Sequence, residues 1–307
     1  MIDTVRVKFP LAPTAEQLRS WEKQTRTKAT GETTYRYILN LKLTDDAISV
    51  RCTHFPFDYH GNPMTTVELS LPKATYGNNF MMLHSLDEPI ERVNGLLSGV
   101  DALPSLNLAQ GILLRIDPCY NHLVGPLVPD YINAIGRLEY PHRRTKHHKD
   151  EGAEFRAKHT TTKFYDKMRE CGDRNASGVL RQETSYLNPK RIAKLIGKRR
   201  PTLLDITPEC VVQLLRDDLA RLRLDGTIIA DRDTALARLC AEYGPRAGVY
   251  YWGLLKAKND TSRRQLHSRT TLHARSMDRT LKRIADAGLA LTFTDTNEPL
   301  PPLVINL

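Results

Sequence analysis

The chain has 307 residues, of which 40% are apolar, and its 45 Lys and Arg against 35 Asp and Glu give a formal charge of +10. This length implies one large or two moderate globular domains, and the charge favours a polyanionic partner. No apolar run approaches the ~20 residues of a spanning helix, which argues against a membrane protein.

The cysteines, Cys52, Cys119, Cys171, Cys210 and Cys240, are odd in number, widely spaced and without a Cys-x-x-Cys pair. That spacing opposes a disulfide framework or a structural zinc site and fits a reducing cytoplasm. The opening Met1-Ile2-Asp3 carries an early acid and runs into strand-like alternation, unlike a signal peptide.

In chain order, Val5, Val7 and Phe9 alternate with Arg6 and Lys8, predicting a strand. A helix is expected over Glu16 to Arg26. Strands over Tyr35 to Leu43 and Ala47 to Cys52 flank Thr44-Asp45-Asp46, which reads as a hairpin turn. A strand over Thr65 to Leu71 follows, then a helix over Glu88 to Leu97 with Pro89 in its first turn. Gly111 to Asp117 reads as a strand and Asp130 to Leu138 as a helix. Further strands surround Phe164 to Asp166 and Val179 to Thr184.

Beyond Arg199-Arg200-Pro201 the pattern becomes helical. Thr207 with Pro208 opens a helix to about Arg223, followed by helices over Asp233 to Tyr243, Ala247 to Lys256 and Leu272 to Ala287. The fold class expected is α+β: a mixed or antiparallel sheet domain with flanking helices over residues 1–203, and a helical C-terminal domain over 204–307.

Chemistry-bearing residues gather in four of these segments. Tyr165 stands among Lys163, Asp166 and Lys167; by strand parity Tyr165 and Lys167 would share a face, as would Arg181 and Glu183. A phenol has an ordinary pKa of ~10, so a nucleophilic tyrosine needs nearby cations to favour its anion. Lys167 and Arg181 are the cations in reach, and they also suit the non-bridging oxygens of a phosphate. Glu68 and Asp117 are suitable ligands for a divalent ion, with Asn121 or His122 completing the shell. The same residues have plainer readings. Tyr165 could be a core aromatic, Arg115 and Asp117 a strand-end ion pair, and Glu183 the partner of Arg181.

Four ordered blocks carry a resemblance. They are Val67-Glu68-Leu69-Ser70-Leu71-Pro72-Lys73 with Gly77-Asn78-Asn79; Arg115-Ile116-Asp117 with Asn121; Thr161-Thr162-Lys163-Phe164-Tyr165-Asp166-Lys167; and Leu180-Arg181-Gln182-Glu183. In these the chain resembles replication initiators of the filamentous-phage gene II/X type, more distantly related to staphylococcal plasmid initiators of the rolling-circle class. The resemblance implies a Rep-like palm and an origin-specific, metal-dependent nicking and joining endonuclease. Its tyrosine keeps the 5′ phosphate and leaves a 3′-hydroxyl primer. It matches Tyr165 to the nucleophile and Glu68 and Asp117 to the metal positions, with Mg²⁺ or Mn²⁺ as the ion. Glu183 would orient the cations or join the metal shell.

Two departures stand out. Asn121 occupies the place of a second aspartate in the plasmid relatives, and the chain lacks the His-hydrophobic-His pair of other rolling-circle enzymes.

The partners implied are single-stranded origin DNA, a host helicase and polymerase, and a second copy of the chain, in a bacterial cytoplasm. Lys73, Arg115, Arg143, Arg144, Lys146, Lys149 and Lys163 are the expected DNA contacts, and Lys190 to Arg200 forms a second basic segment. Ser262-Arg263-Arg264, Ser268 to Thr271 and the basic helix after them could form a helix-turn-helix element or a basic face on a bundle. Tyr250, Tyr251 and Trp252 read as core residues of a helix. The rival functions are a non-catalytic origin-binding regulator, a mobilisation relaxase and a metal phosphodiesterase that uses water.

Overall fold

Burial of every second side chain makes the opening segment a strand, β1 (Ile2–Phe9), with Val5, Val7 and Phe9 inside. The computed structural model describes residues 1–27, 29–31, 33–44, 48–57, 61–261 and 274–306. After β1 come β2 (Glu22–Thr27), β3 (Thr33–Leu43), β4 (Ile48–Phe55), β5 (Met64–Ser70), α1 (Leu71–Tyr76) and α2 (Asp87–Ser98). The middle of the chain forms β6 (Ile112–Leu123), α3 (Val128–Gly136), β7 (Arg144–His147), β8 (Gly152–Arg156), β9 (Thr160–Asp166) and α4 (Lys167–Cys171). The remainder forms β10 (Val179–Tyr186), α5 (Pro189–Ile196), α6 (Pro208–Leu222), α7 (Arg232–Tyr243), α8 (Pro245–Asp260) and α9 (Ala274–Asp286). The architecture is α+β with a large antiparallel sheet.

The chain forms two compact units, Met1–Cys119 with Thr184–Val212, and Tyr120–Glu183 with Gln213–Asn306. In the first, the strand order is β2-β3-β4-β5-β1-β6. One sheet face buries Val5, Val7, Val50, Cys52, Val67 and Leu69, and α1 packs on β1 and α2. The register between β1 and β6 shifts between Arg6 and Val7, a bulge that lets Leu113 and Ile116 both reach the core although their parity differs.

Two expectations here are corrected. The helix over Glu16 to Arg26 is a short 3₁₀ turn (Gln17–Ser20) followed by β2, whose pairing runs from Glu22 opposite Ile38 to Thr27 opposite Thr33. The strand expected through Leu71 stops at Ser70, where Pro72 enters the first turn of α1. Of the expected hairpin turn, Asp45 and Asp46 lie outside the described residues.

In the second unit the order is β10-β9-β8-β7, and α3 packs against β7, β8 and β9. Phe155 and Phe164 meet edge to face at 6.5 Å beneath that helix. A buried polar knot joins these strands to α6. Tyr140 Oη donates to Asp218 Oδ1 at 2.5 Å, and Thr162 Oγ1 donates to Asp218 Oδ2 at 3.2 Å. Burial, aided by the Asp218 charge, pushes the Tyr140 pKa up.

The expected helices correspond to α6, α7, α8 and α9. Thr207 Oγ1 caps α6 by accepting from the Cys210 amide at 3.2 Å. The segments Ser262 to Arg264 and Ser268 to Thr271 lie outside the described residues. Tyr251 is buried as expected, but Tyr250 is 47% exposed. All five cysteines are free, and burial pushes the Cys52 thiol up to about 12. Among the described residues, no helix is long and apolar enough to cross a membrane.

Candidate active site

Strand β9 alternates strictly: Thr160, Thr162, Phe164 and Asp166 are buried, while Thr161, Lys163 and Tyr165 are half-buried on the other face. Gly152 of β8 sits directly opposite Tyr165, and an added Cβ there would lie 3.1 Å from Tyr165 Cβ. The same face continues through cross-strand partners, Lys163 to Glu154 to Lys146 and Thr161 to Arg156 to Arg144. Across β7, β8 and β9 the tyrosine therefore shares its sheet face with four cations and one acid.

The Tyr165 hydroxyl donates to Glu183 Oε2 at 2.9 Å. Glu183 and Arg181 share a face of β10, as parity requires, and Arg181 Nε lies 3.7 Å from Glu183 Oε2. Arg181 also donates through Nη1 to Asn121 Oδ1 at 3.2 Å. Its side chain is fully buried. It holds Glu183 and Asn121 from behind and does not present itself to a phosphate.

Lys167 reaches the site by a different route from the one expected. β9 ends at Asp166, whose carboxylate accepts from the Arg169 amide and caps α4, so Lys167 belongs to a helix and strand parity does not apply. Its buried ammonium lies 5.7 Å from the centre of the Tyr165 ring and donates to Glu170 at 2.5 Å.

Asn121 and His122 are consecutive on β6 and take opposite faces. Asn121 serves Arg181, while His122 is buried, with Nε2 3.1 Å from Gln182 Oε1. Gln182 Nε2 in turn donates to Leu215 O, so the histidine is the donor. Burial lowers the His122 pKa to about 4, against weaker raising effects of Gln182 and the Val304 backbone. His122 is a packed, hydrogen-bonded core residue.

The acids expected to hold the ion lie in the first unit. Arg115 Nη1 donates to Glu68 Oε1 at 2.5 Å, and Arg115 Nε and Nη2 embrace Asp117 at 2.5–3.1 Å. Arg6 Nε completes the cluster on Glu68 Oε2 at 2.7 Å. Burial works against the charge of Arg115, but hydrogen bonds and charge from Asp117 and Glu68 outweigh it and raise its pKa.

Among the described residues, no group of three or more His, Cys, Asp and Glu side chains is placed to hold a metal ion. As arranged, the two carboxylates fit a guanidinium and not a hydrated divalent ion. Arg115 and Asp117 form the ion pair of the plainer reading, but in mid-strand, because the strand expected to end at Asp117 runs on to Leu123.

Arg115 and Arg143 are thus committed within the protein. The Arg143 guanidinium is 4% exposed, donates to Thr162 at 2.5 Å and covers the Tyr140 ring at 3.6 Å. Lys73, Arg144, Lys146 and Lys149 are exposed.

Sequence reasoning missed a cleft of about 340 Å³ in the first unit, where Arg6, Arg36 and Arg51 meet Thr66, Phe55 and Glu68. Its signal was the cross-strand row of Arg51, Glu68, Arg6 and Arg115, which needs the register to be seen. No family model, curated protein or solved structure compared with the chain matches it.

Proposed function

We propose that the chain initiates rolling-circle replication by nicking single-stranded origin DNA, with Tyr165 as nucleophile and residues 1–203 as the nicking part. The observation that carries this reading is the hydrogen bond of 2.9 Å from the Tyr165 hydroxyl to Glu183, on a strand face lined with cations.

In this reading Glu183 takes the phenolic proton as the phenol oxygen bonds to phosphorus. The bond from phosphorus to the 3′ oxygen breaks, and that oxygen takes a proton from solvent to become the primer. The 5′ phosphate stays on Tyr165. Re-joining runs backwards: a 3′ hydroxyl attacks the phosphotyrosine and Glu183 returns the proton. Lys167 offsets charge on the ring oxygen, and Arg181 with Asn121 holds Glu183 in place. Lys163, Arg156, Arg144 and Lys146 suit the strand backbone, which would make binding strongly salt-dependent. A host polymerase and helicase, and a second copy of the chain, belong to the same reading, with residues 204–307 contacting DNA or a partner.

Bound Mg²⁺ or Mn²⁺ would supply Lewis-acid stabilisation of the phosphoryl oxygens. Arg115 fills the space between Glu68 and Asp117, so as they stand these two residues fit a guanidinium better than such an ion. That same arginine favours a second reading, a non-catalytic protein that binds the origin and regulates replication.

Labelled single-stranded fragments tiling the DNA molecule that carries the gene, incubated with the protein in Mg²⁺, Mn²⁺ and chelator, separate the two. A covalent adduct on denaturing electrophoresis that Tyr165→Phe abolishes supports the nickase. Sequence-specific binding without an adduct supports the regulator, and an adduct formed by Tyr165→Phe sinks the assignment of the nucleophile.

A further inference from the structure

The second unit carries a separate cleft of about 710 Å³ beside the corner of α7 and α8, closed on its other side by α9. Its cations are Arg246 in the first turn of α8 and Arg279 and Arg283 on α9; its rings are Tyr243, Tyr250 and Tyr251. Among the described residues, no carboxylate lines it.

The six do not play equal parts. Arg283 donates to Tyr251 Oη and lies over the Tyr251 ring, while Tyr243 Oη donates to Arg283 O at 2.8 Å. Tyr243 and Tyr251 meet edge to face at 5.1 Å, so these three residues form the wall. The remaining three are open. Tyr250 is 47% exposed and rests edge-on against Tyr251 at 5.6 Å. Arg246 and Arg279 are exposed and, among the described residues, make no ion pair or side-chain hydrogen bond.

Two uncommitted guanidiniums and one supported, exposed ring ask for a ligand with an anion and a flat aromatic face. Guanidinium forks match phosphate oxygens in pairs, and tyrosine rings stack on bases irrespective of sequence. The first-turn amides of α8, which no side chain caps, add donors on the same side. A bare anion would leave Tyr250 unused, and a neutral aromatic would leave both arginines desolvated without a partner. The volume falls within the usual range of small-molecule sites, about 300–1,000 Å³.

We propose that this cleft binds a nucleoside phosphate, with its base against Tyr250 and its phosphate on Arg246 and Arg279. The ligand is either a free nucleotide or one nucleotide of a single strand, and the two sources share this chemistry. The inference does not rest on the role of Tyr165.

The test uses the full chain with two probes, a fluorescent N-methylanthraniloyl ADP and a fluorescein-labelled oligothymidylate, each titrated into native protein, Arg246→Ser/Arg279→Ser and Tyr250→Ala. All three positions are exposed, so circular dichroism should remain native. Tenfold or greater weakening of the ADP probe in both variants assigns a free nucleotide. The same loss confined to the oligothymidylate assigns a strand.

Photo-crosslinking of native protein with 8-azido-ATP and with 5-iodouracil oligonucleotide needs no variant and should map to residues 243–251. Unchanged affinity for both probes in both variants, or crosslinks only elsewhere, overturns the proposal. Tyr165→Phe should leave ADP-probe binding and these crosslinks unaltered, which keeps the cleft and the nickase reading separately testable.

Discussion

Tyr165 and Glu183 lie 18 residues apart in sequence, yet the phenol of one donates directly to the carboxylate of the other at 2.9 Å. A hydroxyl so placed already points its proton at a base. If that base acts in the nicking step, Glu183→Gln keeps a polar partner for the phenol but cannot accept its proton. Adduct formation on a single-stranded origin fragment should then fall by about 10²–10⁴-fold while affinity for the fragment is kept. Single-turnover kinetics beside a binding titration measure both, and a native rate in Glu183→Gln removes it as the base.

The Arg6–Glu68–Arg115–Asp117 cluster makes a second prediction. Asp117 is 1% exposed and Arg115 24%, so Arg115→Met strands a buried carboxylate at a cost of about 3 kcal/mol. Removing the guanidinium frees Glu68 and Asp117 to face a cation, so Mn²⁺ should restore part of the lost melting temperature in Arg115→Met and leave the native protein unchanged. Differential scanning calorimetry with and without Mn²⁺ reads both effects. Equal stabilisation of native protein by Mn²⁺, lost in Glu68→Gln, would mean that the ion displaces the arginine.

His122 sets an acid-side dependence of stability. Its ordinary value is 6.5 and its value in the fold about 4, so between these the unfolded chain takes up a proton that the folded protein does not. Its contribution is complete above pH 6.5 and declines as pH falls towards 4, by about 3 kcal/mol in all. Urea midpoints from pH 7.5 to 4.5 should fall less steeply in His122→Gln than in the native protein, although the variant is less stable at neutral pH. Parallel slopes would contradict the assignment.

Gly152 is the cross-strand partner of Tyr165, and a Cβ at that position would lie 3.1 Å from both Phe164 O and Tyr165 Cβ. Gly152→Ala should therefore cost about 1–3 kcal/mol of stability by overpacking. It should also displace the phenol, lowering adduct formation beyond what the fraction unfolded explains. Melting curves paired with adduct yields at low temperature test this, and full yield would show the ring tolerant of crowding.

The parts of this layout visible in the sequence are those that alternate. β1 and β9 announce themselves through buried apolar or β-branched residues at every second position, and the pairing of Arg181 with Glu183 followed from parity alone. The strands missed include the two at the ends of the sheet orders, β2 and β7, which read Glu-Lys-Gln-Thr-Arg-Thr and Arg-Thr-Lys-His. Edge strands are held by backbone pairing and guarded by charge, so they carry no apolar period to detect.

Lys167 escapes strand parity because Asp166 doubles as a helix cap, a role its neighbours do not reveal. The bridging of Glu68 and Asp117 by one arginine depended on register and a bulge, which composition cannot supply.

The amide of Asn121 bears on how this chain tolerates change over time. Asn121 accepts from Arg181, Arg181 faces the Glu183 carboxylate, and Glu183 accepts from the phenol, so four side chains from three strands are linked through one arginine. An aspartate at 121 would compete with Glu183 for that cation and pull it off centre. Drift at 121, 181 and 183 is therefore expected to be correlated among descendants of this protein, each position free to vary only as the others compensate.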